Sequence, residues 1–323
     1  MTHTIFIDGE AGTTGLEIRE RLAARGDLEL ILLGDRRRDV EARREALNAA
    51  DAVILCLPDD AAKEAVGMID NPAVRVIDAS TAYRVDPAWT YGFAEMTHAP
   101  GRMGQAEKTA DATRVSNPGC YPTGFIGLVR PLVSAGIIPA GWPVTVNAVS
   151  GYSGGGKAMI AEFEAAPGSS PGVTMAGAYR VYGLSLKHKH VPEMTLHTGL
   201  ERPVLFAPAV GAYRQGMLVE VPLHLGALPG SPSVEVVHGA LAEAYAGCRF
   251  VEVAELETTE AMTGIDPEGL NGTNRMRLRV FGDRAGEQVR LVALLDNLGK
   301  GASGAAVQNL NLMLGLDEGT GLS

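Results

Sequence analysis

Thr4-Ile5-Phe6-Ile7-Asp8 runs straight into Gly9-Glu10-Ala11-Gly12-Thr13-Thr14-Gly15, and this junction decides the fold. The first five residues form a short apolar strand. After the glycines, Leu16, Ile18, Leu22 and Ala23 fall at the apolar positions of a helix running to Arg25, and Leu28 to Leu33 is a second strand. Strand, glycine turn, helix and strand make a βαβ unit, whose crossover is expected to be right-handed. Glycines let the backbone approach a pyrophosphate, and amides at the helix start supply donors to it. Gly9, Gly12, Thr13, Thr14 and Gly15 are therefore candidate cofactor contacts. The spacing is Gly-x-x-Gly-x-x-Gly rather than the more specific Gly-x-Gly-x-x-Gly. The reading thus rests on the flanking strand and helix, with an ordinary strand-to-helix turn as its rival.

The second strand ends in Gly34-Asp35-Arg36-Arg37-Arg38. Asp35 stands where an acid often holds a ribose hydroxyl, which favours NAD. The arginines behind it suit a 2′-phosphate instead, or form a solvated charge run. NADP is the expected cofactor, with Arg36 as the candidate contact. Strands at Ala52–Leu57 and Val74–Asp78 extend the sheet, and Cys56 inside the first of them is expected in the core. Open α/β sheets bind ligands beyond the carboxyl ends of their strands, which puts Ser80, Thr81 and Arg84 in range. Ser80 and Thr81 could instead cap the loop. Arg84 offers a guanidinium to an acyl phosphate or carboxylate, or is a surface arginine.

Cys120 sits in Ser116-Asn117-Pro118-Gly119-Cys120-Tyr121-Pro122-Thr123-Gly124, followed by the apolar run Phe125 to Val133. Prolines and glycine break regular structure around the thiol, and Thr123 is available as an N-cap for the helix behind it. A thiol at a helix mouth is favoured as thiolate, so Cys120 reads as a nucleophile, against the alternative of a buried apolar cysteine. Beyond it, runs at Val144–Val149, Met217–Val221 and Val289–Leu295 suggest a mixed or antiparallel sheet. Gly151 to Lys157 follows the first of these and fits a phosphate loop, except that Ala158 replaces the hydroxyl residue that would hold magnesium. A glycine loop whose amides and Lys157 meet a substrate anion or the nicotinamide portion fits better; a structural turn is the third reading. Lys187-His188-Lys189-His190-Val191-Pro192-Glu193 puts two histidines at alternate positions, on one side of an extended strand. No partner cluster supplies further metal ligands, so no metal is expected. A histidine paired with Cys120 for proton transfer fits the chemistry. Asn297 and Lys300 lie at a glycine-rich break after a strand, where an amide could meet a nicotinamide carboxamide or cap a helix.

The 323 residues suffice for two domains with separate cores. A 46% hydrophobic and 20% charged composition marks a globular chain. The net charge of -10 argues against nucleic acid or an anionic membrane as partner. Three scattered cysteines make no disulfide framework, and neither a signal peptide nor a membrane span is apparent, so a cytoplasmic location is expected.

The glycine loop, Ser116 to Gly124, Ser150 to Lys157, His188 to Glu193, and Asp296-Asn297-Leu298-Gly299-Lys300-Gly301 together resemble the N-acetyl-gamma-glutamyl-phosphate reductase family, in its shorter form. The cysteine and Asp296 segments are the specific ones. The resemblance implies an NADP-dependent enzyme of arginine biosynthesis, related to aspartate-semialdehyde dehydrogenase, acting on an acyl phosphate with release of inorganic phosphate. It implies a Rossmann-like α/β nucleotide-binding domain over 1–118 and 297–323, completed by a returning C-terminal helix. An α+β catalytic and oligomerisation domain over 119–296 and a homo-oligomer are implied with it. By position Cys120 is the nucleophile and His190 the acid/base, with His188 the second choice. Gly151 and Asn297 join Ser80 and Arg36 on the cofactor; Arg84, Asn117, Lys157, His188 and Glu193 are the substrate set. Ser80-Thr81-Ala82-Tyr83-Arg84 departs from the family's usual Ser-Ala-Asp-Phe-Arg, which leaves only Ser80 and Arg84 matched.

Overall fold

Ile5, Ile7, Ile54 and Ile77 point to one side of a parallel sheet, while Phe6, Val53, Leu55 and Val76 point to the other. Both sides are buried, which is why these strands read as nearly continuous apolar runs. The computed structural model describes residues 2–96, 104–165, 177–282 and 287–323. It divides into two compact units, Met1–Ala94 with Met103–Gly119 and Ala302–Ser323, and Glu95–Arg102 with Cys120–Gly301.

In the first unit β1 (His3–Asp8), α1 (Thr13–Ala23), β2 (Leu28–Ile31), α2 (Val40–Ala49), β3 (Ala52–Leu55), α3 (Asp59–Gly67) and β4 (Arg75–Asp78) alternate as expected. β5 (Thr90–Tyr91), α4 (Gln105–Asp111) and β6 (Arg114–Ser116) complete it. The sheet order is β2-β1-β3-β4-β6-β5, parallel throughout. One face packs on Ile18 and Leu22 of α1 and on Ala306, Val307 and Leu310 of the C-terminal helix Gly304–Met313. The other packs on Leu47, Ala62 and Ala65. Asn309 ties the C-terminal helix in, its Nδ2 donating to the Gly92 carbonyl at 2.9 Å and to Asn117 Oδ1 at 3.0 Å. Cys56 differs from expectation: β3 ends at Leu55, and the Cys56 amide donates to the Asp8 carbonyl just past the strand, at the edge of the core.

The second unit contains α5 (Cys120–Ser134), β7 (Thr145–Gly151), α6 (Gly156–Glu164), β8 (Tyr179–Val181), α7 (Val191–Thr198), β9 (Leu205–Gly211) and β10 (Met217–His224). α8 (Val234–Ala244), β11 (Val251–Val253), α9 (Leu256–Glu260), β12 (Met276–Gly282) and β13 (Gln288–Leu295) follow. The seven strands form a mixed sheet in the order β11-β12-β13-β10-β7-β9-β8. α5 packs on β10, β12 and β13, and beside α7 and α8. It begins at Cys120 itself, so Thr123 is a fully buried residue within the helix and not its N-cap. Pro122 is tolerated because the first helical turn has no intrahelical acceptor for its missing N–H.

The second unit keeps residues up to Gly301 because Asp296 and Asn297 are bound into it. Asp296 Oδ2 accepts from Gln215 Nε2 at 2.6 Å and from the Gly272 amide at 2.8 Å. Asn297 Oδ1 accepts from the Gly216 amide at 2.8 Å, and its Nδ2 donates to Ser153 Oγ at 2.9 Å. Nearby, Lys300 Nζ donates to both carboxylate oxygens of Glu95 at 2.7 Å, and the two side chains are 2% and 5% exposed. Removing one partner of such a pair strands a buried charge. Lys300→Ala should lower stability by about 3–5 kcal/mol, read as a fall in the thermal midpoint, and Lys300→Met with Glu95→Leu should recover most of it. A single variant melting like the wild type would contradict the assignment.

Candidate active site

α5 places Cys120 at its first residue, the helix end whose dipole favours a neighbouring negative charge. The residue opens into a cavity of about 240 Å³ shared with Ser150, Tyr182, His188, Lys189 and His190. Gly301 passes directly over it: a Cβ there would lie 2.8 Å from Cys120 Cβ, so any larger residue would push the nucleophile aside.

The two histidines do not sit on a strand. They occupy a turn between β8 and α7, with His190 as the residue preceding the helix. The His190 amide donates to His188 Nδ1 at 3.2 Å, and the ring centroids are 4.8 Å apart. Their short spacing comes from this turn, which the alternating Lys-His-Lys-His pattern mimics. An Nδ1 that accepts leaves its proton on His188 Nε2. Burial, reinforced by the neighbouring Lys189 charge, holds the His188 pKa down at about 4. Around the rings, the Tyr182 hydroxyl donates to the Tyr121 hydroxyl at 3.1 Å, which in turn donates to the Ala209 carbonyl at 3.1 Å. Burial pushes the Tyr182 hydroxyl up to about 12, so it remains a donor.

Strand, glycine turn and helix do follow one another at 145–164, as a phosphate loop requires. The glycines nevertheless serve packing as well: a Cβ on Gly151 would lie 2.6 Å from the Arg214 carbonyl and the Gln215 amide nitrogen. Gly151, Gly154 and Gly155 line the Cys120 cavity, whereas Lys157 is exposed and outside its lining. Glu193 is buried in the first turn of α7, also outside the lining. The Asn297 amide is engaged by Gly216 and Ser153.

The first unit has its own cavity, about 410 Å³, at the point where the chain leaves β1 toward β2 on one side and β3 lies on the other. Open parallel sheets bind ligands at such reversals of strand order. Gly9, Glu10 and Ala11 line it together with Asp8, Arg37 and Arg43. Gly9 has φ +88° and abuts the Cys56 carbonyl, and Gly15 abuts the Gly9 carbonyl, so neither position admits a side chain. Gly12 precedes α1, and Thr13 and Thr14 open it. This is a cradle that a dinucleotide fits. Arg36 lies away from it, exposed and 3.6 Å from Asp39, while Arg37 takes the lining position. Arg43 is held by Asp8 at 2.7 Å.

Several expected ligands also hold the scaffold. Ser80 Oγ donates to Asp78 Oδ2 at 2.6 Å and accepts from the Ala82 amide at 3.1 Å, and Thr81 Oγ1 donates to Asp59 Oδ2 at 2.5 Å. Arg84 is buried, not a surface arginine, donating from Nε to the Asn117 carbonyl at 2.9 Å and from Nη2 to Ala79 at 3.1 Å. Asn117 Nδ2 donates to the Ala302 carbonyl at 3.0 Å. Sequence reasoning did not select Lys189, Arg43 or Tyr182, and of the three adjacent arginines it chose Arg36 rather than Arg37. For Lys189 the signal was its place between the two histidines.

Comparison with known proteins places this geometry. A family model described as semialdehyde dehydrogenase, dimerisation domain, matches residues 120–297, and one described as semialdehyde dehydrogenase, NAD binding domain, matches 35–101. Curated relatives named N-acetyl-gamma-glutamyl-phosphate reductase are 56% identical in Burkholderia ambifaria, over 97% of this chain and 96% of theirs, and in Brucella ovis, over 98% and 100%. The chain belongs to the N-acetyl-gamma-glutamyl-phosphate reductase family. Its fold is shared with aspartate semialdehyde dehydrogenase II from Vibrio cholerae, at TM-score 0.68 and 16% identity over 97% of this chain and 99% of that one. The enzyme from Candida albicans, solved with NADP, aligns at TM-score 0.62 and 14% identity, over 97% and 99%. As a family member the chain is an oxidoreductase of the α/β semialdehyde dehydrogenase type with a nicotinamide-cofactor domain. Among the described residues no helix is long and apolar enough to cross a membrane.

Within this reductase family member, Cys120 and Cys56 have opposite surroundings. Burial, with the Asp78 and Asp8 carboxylates adding, pushes the Cys56 thiol up to about 12. Iodoacetamide at pH 7.5 should therefore label Cys120 at least about 10-fold faster than Cys56, followed by peptide mass spectrometry. Equal labelling of the two would contradict the site.

Proposed function

We propose that the chain reduces N-acetyl-L-glutamyl 5-phosphate to N-acetyl-L-glutamate 5-semialdehyde and phosphate, with NADPH, through a thioester on Cys120, as a step of arginine biosynthesis. The observation that carries the reading is a cysteine at a helix start sharing one cavity with two histidines. Curated relatives bearing that substrate in their name, at 56% identity, support it over an aspartate-semialdehyde substrate.

A carboxylate resists hydride; an acyl phosphate is activated. The Cys120 thiolate attacks the acyl carbon, the C–S bond forms, and the C–O bond to the phosphoryl group breaks with its electron pair leaving on phosphate. When bound, the reduced dinucleotide supplies the hydride that turns the thioester carbon into a thiohemiacetal. That species collapses to aldehyde and restores the thiolate, and phosphate intercepts the thioester in the reverse direction. Amides at the start of α5 are placed to stabilise the oxyanion. His190 handles the protons, because His188 is held neutral with its Nδ1 already accepting from the His190 amide. His188 contributes an Nε2–H donor.

The cofactor is held by the turn from Gly9 to Gly15, with Arg37 as the arginine that meets a 2′-phosphate; its place in the cavity wall supports NADP over NAD. The dimerisation model matched over 120–297 supports a homo-oligomer, and a cytoplasmic location suits a biosynthetic enzyme.

NADP reduction by N-acetylglutamate semialdehyde should require phosphate or arsenate, and aspartate semialdehyde should be a poor substitute. Turnover independent of phosphate would contradict the thioester route. Cys120→Ser should lose turnover by at least about 10⁴-fold while NADPH still binds. For pH, His188→Asn should retain the wild-type ionisation near neutrality in kcat/KM, since a group titrating at about 4 is neutral throughout that range. His190→Asn should lower kcat/KM at least about 10²-fold, and the reverse pattern would exchange their roles. Arg37→Ala should weaken NADPH about 10-fold and leave NADH unchanged in a fluorescence titration.

A further inference from the structure

An acyl phosphate brings about two negative charges to the point where sulfur attacks, and they depart on the leaving group. The sequence offered Lys157 and Arg84 as partners for that charge. Lys157 is exposed outside the lining of the Cys120 cavity, and the Arg84 guanidinium is buried against the Ala79 and Asn117 carbonyls. We infer that Lys189 is the phosphate-binding cation of this site, holding the phosphoryl group as Cys120 displaces it and holding inorganic phosphate in the reverse direction. The inference rests on the proposed reaction and names its missing ligand.

Among the described residues that line the cavity, Lys189 is the one with a permanent charge, and none is a carboxylate. His188 stays neutral and His190 is reserved for protons, so neither replaces a standing cation. The backbone carrying Lys189 is fixed on both sides. The His190 amide donates to His188 Nδ1, the Val191 amide to the His188 carbonyl at 3.0 Å, and the Met194 amide to the His190 carbonyl at 2.9 Å. The ammonium therefore swings on its own four-carbon stem from an anchored turn, as a mobile point charge suited to phosphate. Substrate chemistry separates phosphoryl from carboxylate. The phosphoryl group is on the carbon attacked by Cys120, whose cavity Lys189 shares, whereas the carboxylate lies at the far end of the acyl chain.

The test runs the reverse reaction, reading NADP reduction against phosphate at saturating semialdehyde and against semialdehyde at saturating phosphate. Lys189→Ala should raise the KM for phosphate about 10- to 100-fold and leave those for semialdehyde and NADP within about two-fold; Lys189→Arg should recover part of the loss. Lys187→Ala, an exposed neighbour outside the cavity, should behave as wild type. An unchanged phosphate KM overturns the inference, and so does a rise confined to semialdehyde, which would put Lys189 on the carboxylate. If Lys189→Ala turns over too slowly to assay, protection of Cys120 from iodoacetamide by inorganic phosphate reads the same contact. The half-protecting concentration should rise by the same factor, and an unchanged value overturns it. Wild-type enzyme that oxidises the semialdehyde without phosphate would instead remove the proposed reaction, and this inference with it.

Discussion

The seat of α5 on its sheet is the constraint on which the chemistry depends. Two glycines bring the helix backbone down onto the strands: a Cβ on Gly124 would lie 2.8 Å from Val219, and one on Gly127 would lie 2.7 Å from the end of Met276. The Tyr245 hydroxyl donates to the Gly127 carbonyl at 2.9 Å from the α8 side. A helix pressed this closely cannot slide without opening a void in a packed interior. Its first residue is therefore fixed in space, and that residue is Cys120. Gly301 closes the fit from above, where a methyl would displace the sulfur's own Cβ.

Charge is distributed to match. The cavity around Cys120 holds two imidazoles and one ammonium, while the nearby buried carboxylate of Asp296 is turned to Gln215, Gly272 and Leu298. An anionic substrate is not repelled there. Cys56 makes the converse case. It lies beside two aspartates at the edge of the core, and burial with those charges makes the same functional group inert. Sulfur reactivity in this chain is thus decided by which element carries the residue and what faces it.

The sequence made the parallel sheet and the cysteine motif legible because both are local. Continuous apolar runs in β1, β3 and β4 and the glycine junction after β1 are visible in a dozen residues. Where each side chain sits depends instead on tertiary contacts. Lys-His-Lys-His alternates like a strand, yet the His190 amide folds back to His188 and makes a turn. Three adjacent arginines are equivalent on paper, and a single 3-10 turn at Gly34–Arg38 decides that Arg37 faces the cavity while Arg36 pairs with Asp39. Ser80, Asn117 and Asn297 carry motif positions and hold loops together, since an amide or hydroxyl satisfies buried backbone as readily as it binds a ligand. Thr123 fits a capping rule that the helix does not use, because Pro122 is allowed within the first turn.

The covalent intermediate itself is the most direct test of the account. Enzyme mixed with N-acetylglutamyl phosphate and no reduced cofactor, then acid-quenched and analysed as intact protein and peptides, should carry one acyl group on Cys120 with one equivalent of phosphate released. Unmodified Cys120 under these conditions, in enzyme that forms the semialdehyde once NADPH is added, would contradict it.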